Sequence, residues 1–250
     1  MIDRSAIFWI PTLTLLLGCE TPPPPGPPMP TLPTGNFTAP AHPSLGEIER
    51  LDPALDQLIA RSAVIEQLAD GFDWAEGPVW VQPAQGEGFV LFSDIPPNKI
   101  YKWSEADGLE DFLQPSGYTG TTLRAGQPGS NGLLLDAQGR LVLCQHGDRR
   151  IARLASSLNA PQPTYQTVIG TYQGKRFNSP NDGCFDRNGN LYFTDPPYGL
   201  EKRMSDPAKE LSFQGVYLFT QGGELKLLTD KIAFPNGIAL SPDEKTLYVA

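Results

Sequence analysis

Four stretches of this chain resemble one another at intervals of fifty-odd residues, and that period limits the fold more than any other feature. "SNGLLLDAQGRLVLCQHG" begins at residue 130, "PNDGCFDRNGNLYFTDPP" at 180 and "PNGIALSPDEKTLYVA" at 235. "AEGPVWVQPAQGEGFVLFSDIPP", from 75, is a looser copy with glutamate in place of the asparagine. Each reads as a polar residue, a short apolar run, a turn, and then an alternating strand. A period of that size made of strands points to an all-β fold, a β-propeller with one four-stranded blade per copy. Residues 64–250 leave room for three to four blades.

The equivalent positions are Glu76, Asn131, Asn181 and Asn236, separated by 55, 50 and 55 residues. In a propeller the innermost strand of every blade lines the central channel, so these positions converge at one mouth. A single Asn-Gly or Asn-Asp is ordinary turn chemistry. Four in phase make a ring of oxygen donors. One carboxylate with neutral amide oxygens suits a hard divalent cation, Ca²⁺ first, with Mg²⁺, Mn²⁺ or Zn²⁺ as alternatives. The three cysteines and two histidines lack zinc-site spacing. A net charge of −9 leaves no basic surface to displace counterions, which excludes a nucleic-acid partner.

Ahead of the repeats the chain carries an address. "MIDRSAIFWIPTLTLLLGCE" has an apolar run too short for a membrane span but suited to a signal-peptide core over residues 1–19. It ends in "LLGC", which is similar to the lipobox of bacterial lipoproteins, with Cys19 as the acylated residue. That implies export and a membrane anchor. Residues 20–50 follow as a proline-rich tether in extended polyproline II, which contains His42. Asp52 as a cap and Pro53 in the first turn predict a short helix over 51–63.

The repeats resemble the gluconolactonase family, also called the regucalcin or senescence-marker-protein family. The resemblance rests on "WAEGPVW", "NGLLLDAQGRL" with "HGDRRIARL", "FNSPNDGCFDRNGNLYFTDPPYGL" and "FPNGIALSPDEKTLYV", from about Gly71 to Ala250. It implies a six-bladed propeller with a divalent metal in the channel. It also implies hydrolysis of a sugar lactone, the metal acting as a Lewis acid. By resemblance Glu76 and Asn236 are metal ligands, and Asn181 ligates the metal or contacts substrate. Asp182 is the acidic neighbour at the channel wall and the in-phase candidate for general base. Asn131, His146 and Tyr198 are expected to line the substrate pocket. The family's metal-binding aspartate is expected one blade beyond Asn236, so the chain reads as a fragment lacking the last two or so blades.

No G-x-S-x-G occurs, and the sequence places neither serine nor cysteine as a nucleophile. Cys144 and Cys184 lie at different offsets in their repeats and read as buried free thiols. Asp94 and Asp195 precede prolines in "SDIPP" and "TDPPYG" and read as acceptors for backbone amides at a turn. The Arg149–Arg150 pair reads as solvated. The ring leaves open hydrolysis of other esters or organophosphates, and a non-catalytic module that binds a carbohydrate or protein.

Overall fold

The computed structural model describes residues 42–122 and 124–250. The expected signal peptide, Cys19 and most of the expected tether lie outside the described residues. The chain divides into two compact units, residues 72–250 forming the body of one and the described residues 42–71 belonging to the other.

In the smaller unit a 3-10 helix spans Pro53–Gln57, with Asp52 Oδ1 accepting from Ala54 N at 2.8 Å. The helix predicted over 51–63 is thus a five-residue turn. Leu58 and Ile59 remain 65% and 37% exposed, so there is no buried face to offset the cost of a longer helix. Arg50 secures the segment through Asp56 at 2.8 Å and the Ala60 carbonyl at 2.7 Å. Among the described residues no helix is long and apolar enough to cross a membrane.

The larger unit is all β. Strands β1 (Ala75–Val81), β2 (Phe89–Asp94), β3 (Lys99–Ser104) and β4 (Gly108–Leu113) form one antiparallel sheet in sequential order. Strands β5 (Ser130–Leu135), β6 (Leu141–Gln145), β7 (Arg150–Leu154) and β8 (Tyr165–Ile169) form a second. A small hairpin, β9 (Thr171–Tyr172) with β10 (Lys175–Arg176), leads to a third sheet. That sheet is β11 (Gly183–Phe185), β12 (Leu191–Asp195), β13 (Gly215–Phe219) and β14 (Leu225–Thr229). Strands β15 (Ile238–Leu240) and β16 (Leu247–Val249) begin a fourth. The first strands of successive sheets are neighbours, β1 beside β5, β5 beside β11, and β11 beside β15. This is the propeller order, with three four-stranded blades and two strands of another among the described residues.

The core lies between blades, which explains the hydrophobic patterns. Blade two is sandwiched, so every residue of β6 is buried and the strand reads as a continuous apolar run. Its side chains divide by period two. Leu141 and Leu143 join Leu91, Ile100 and Leu133 toward blade one. Val142 and Cys144 join Phe193 and Tyr217 toward blade three. Phe177 meets Phe193 edge-on at 5.3 Å and completes this second cluster. Strand β1 alternates, leaving Trp80 54% exposed.

Candidate functional site

Two devices recur in positioning the ring residues. The first is a clasp at the end of the second strand. Asp94 accepts from Trp74 N at 2.8 Å and Asp73 N at 3.2 Å, just ahead of β1. Asp195 accepts from Asn178 N and Ser179 N, both at 2.8 Å, just ahead of β11. These are the turn acceptors expected of the two aspartates. Blade two carries Gln145 at that place, and its Nε2 donates to Ser116 O at 2.8 Å.

The second device joins each asparagine of the ring to the preceding blade. Ser93 Oγ donates to Asn131 O at 2.8 Å, and Thr194 Oγ1 donates to Asn236 O at 2.6 Å. Blade two has Cys144 where the others have a hydroxyl, and there Gly132 N donates to Asn181 O at 2.7 Å. The backbone carbonyl of every asparagine in the ring is therefore held from the blade before it.

Glu76, Asn131, Asn181 and Asn236 line a single recess of about 270 Å³, together with Tyr198. Residues 55, 105 and 160 positions beyond Glu76 thus meet where the repeat predicts. Glu76 is the one carboxylate on the lining among the described residues, and its Oε1 accepts from Trp74 Nε1 at 3.0 Å. Asn181 is buried, and its Oδ1 has no hydrogen-bond partner. A buried amide oxygen left unmatched is costly unless something else accepts its lone pairs.

Two expected site residues are not part of the lining. Asp182 Oδ1 accepts from Gly183 N at 2.8 Å and Oδ2 from Ile238 N at 3.2 Å, so its carboxylate ties β11 to the start of β15. Burial raises its pKa, the two amides oppose that, and the charge of Glu76 adds to the rise. His146 is fully buried and meets Asn181 rather than the open recess, with Nε2 at 3.3 Å from Asn181 Nδ2. Burial pushes its pKa down to about 3, which keeps the ring neutral.

The sequence offered less warning of the rest of the wall. Trp74, Gln127 and Arg203 also line the recess. Trp74 belongs to the "WAEGPVW" motif, but Arg203 lies in the long β12–β13 connection, outside any repeat. Its guanidinium lies 5.8 Å from the Tyr198 ring centroid, and Tyr198 stacks on Phe234 at 6.0 Å. Cys144 and Cys184 are unpaired, the first buried and the second half-buried, and burial pushes the Cys184 thiol up to about 11. Arg149 is 3% exposed, not solvated as the sequence suggests. Its Nε donates to Phe177 O at 2.6 Å and its Nη1 to Ala208 O at 2.8 Å.

The family model for the SMP-30/Gluconolactonase/LRE-like region matches residues 74–250. A gluconolactonase of Zymomonas mobilis is 40% identical over 210 residues, which cover 83% of this chain and 57% of that protein. The chain thus spans little more than half the length of that relative. The structure of a gluconolactonase from Xanthomonas campestris superposes with a TM-score of 0.68 at 32% identity, covering 86% of this chain and 67% of that one. A luciferin-regenerating enzyme shares the fold, with a TM-score of 0.50 at 20% identity over 72% of this chain and 52% of its own.

Proposed function

This chain belongs to the SMP-30/gluconolactonase/LRE-like family, and from that premise we propose that it is a lactonase opening a sugar lactone with a divalent cation bound in the recess. The observation that carries this reading is the convergence of four in-phase oxygen side chains on one recess. The donors suit a hard cation. One carboxylate and neutral amide oxygens favour Ca²⁺ over Mg²⁺, which demands tighter octahedral geometry, and over Zn²⁺, which prefers nitrogen and sulfur. Among the described residues no group of three His, Cys, Asp or Glu could hold a metal, so the amides would supply most of the coordination. The unmatched Oδ1 of Asn181 fits that role.

Glu76, Asn181 and Asn236 would hold the cation. When bound, it supplies a Lewis acid for the lactone carbonyl and offsets charge on the tetrahedral oxygen. The protein's own groups do the rest. Asn131 and Gln127 present amides to the hydroxyls of the sugar. Trp74 and the Tyr198–Phe234 stack offer apolar faces to its ring. Water adds to the carbonyl carbon and the ring C–O bond breaks, giving a hydroxy acid. Glu76, the carboxylate on the lining, would take the proton of that water and pass it to the departing ring oxygen. Asp182 is committed to two amides, and its part is to hold Asn181 and Asn236 in register.

The test is lactone opening by the chain with added Ca²⁺ or with EDTA. Turnover should vanish in EDTA and return with Ca²⁺. Glu76→Ala should lower it by about 100-fold or more. Turnover that ignores both EDTA and Glu76→Ala would overturn the assignment.

A further inference from the structure

His146 is buried, absent from the recess lining, and in contact with a residue of the ring. Its position is fixed from several sides. Its backbone N donates to Gly129 O at 3.2 Å, and its carbonyl accepts from Arg149 N at 3.2 Å. Gly199 closes over the side chain. A Cβ at that glycine would lie 2.6 Å from His146 Cβ and 3.0 Å from Cγ. Gly199 is itself held, its N by Ser179 Oγ at 2.8 Å and its carbonyl by Arg124 Nη2 at 3.1 Å. The imidazole is thus clamped between blades two and three with Nε2 facing Asn181.

We infer that His146 is a positioning residue whose Nε2 accepts a hydrogen bond from Asn181 Nδ2 and so turns the Asn181 carbonyl oxygen toward the recess. An amide has two faces of opposite chemistry, a donor NH₂ and an acceptor oxygen. Both side chains are buried, so water cannot correct a wrong orientation. With Nε2 as acceptor, the NH₂ is occupied and Oδ1 is left unmatched, which is the arrangement observed. With the proton on Nε2 instead, the oxygen would turn to His146 and the recess would meet an NH₂, which cannot ligate a cation. The arrangement requires the proton on Nδ1, which has no partner. A histidine kept only for packing would gain nothing from that unmatched N–H. It is the kind of outer partner that orients a metal ligand. The inference rests on the reading that Asn181 belongs to a cation site.

The tautomer can be read directly, because the chain contains two histidines, His42 and His146. Nitrogen-15 histidine spectra of the full chain, with His42→Gln to assign the signals, should show His146 carrying its proton on Nδ1. A proton on Nε2 overturns the inference, whatever the variants do. Calorimetric titration with Ca²⁺ gives the second arm. Asn181→Ala should abolish binding, His146→Phe should weaken it about 10- to 100-fold, and His146→Gln, which restores an acceptor, should recover most of the affinity. Loss in Asn181→Ala with no change in His146→Phe overturns the positioning role and leaves the cation site standing. Normal binding by Asn181→Ala removes the ring itself, and the inference with it.

Discussion

Asp195 shows how a residue can be both buried and busy. It is fully buried, and each of its oxygens accepts one backbone N–H from the segment entering β11. Burial pushes its pKa from 3.8 up to about 7, against the pull of those amides and of Arg149. The folded protein therefore holds this proton more tightly than the unfolded chain does. Its contribution to stability is greatest below pH 4 and declines as pH rises toward about 7. Asp182 acts in the same sense. Urea unfolding at pH 5 and pH 8 should show a loss at the higher pH on the order of a few kcal/mol, reduced in Asp195→Asn. An equal pH response in the variant would refute the assignment. The role of Asp195 as a clasp was legible, because an acid before proline in a strand-end turn is local chemistry. Arg149 and His146 were not. The carbonyls that bury Arg149 lie 28 and 59 residues away, and His146 acquires its meaning from a neighbour 35 residues on.

The elements that build the ring depend on close approach between inner strands. Gly77 has φ of +58°, and a Cβ there would lie 2.2 Å from Asn131 O. Gly132, at the same place in the next blade, would put a Cβ 2.7 Å from Asp182 Oδ1 and 2.9 Å from Asn181 O. Gly77→Ala meets two costs, a left-handed backbone and a collision with main chain that cannot swing aside. The sum should be about 3 kcal/mol or more. Gly86→Ala, with φ of +92° and nothing within 4 Å, carries the first cost alone, about 1 kcal/mol. Denaturant midpoints separate the two, and equal losses would show that the approach is not what fixes Gly77. The strands themselves were readable from the repeat, since a period near fifty fixes both their number and which of them faces the channel. The helix over 51–63 was not, because a cap and a proline define a start but not the packing that would sustain it.

At the scale of the molecule, blades communicate through side chains that reach across the boundary between them. Arg149, at the turn between β6 and β7, donates to carbonyls at Phe177 and Ala208. Arg124 donates to Gly147 O at 2.5 Å and to Gly199 O at 3.1 Å. Together they fasten blade two to the connection of residues 196–214, the segment that delivers Tyr198 and Arg203 to the recess. The segment carrying a wall residue that no motif announces is thus held by two arginines, one of which, Arg149, the sequence reads as solvated. Arg149→Met keeps most of the buried volume but leaves those carbonyls unmatched. It should cost about 3 kcal/mol of stability and loosen the connection. Limited proteolysis should then cut within 196–214 well before the strands. Because the ring residues sit on or just ahead of the inner strands, and Arg124 still holds Gly199 over His146, KM for the lactone should rise several-fold while Ca²⁺ affinity falls much less. If cutting moves elsewhere, or if Ca²⁺ affinity falls in step with KM, the connection and the ring are one unit and the division of labour drawn between them is wrong.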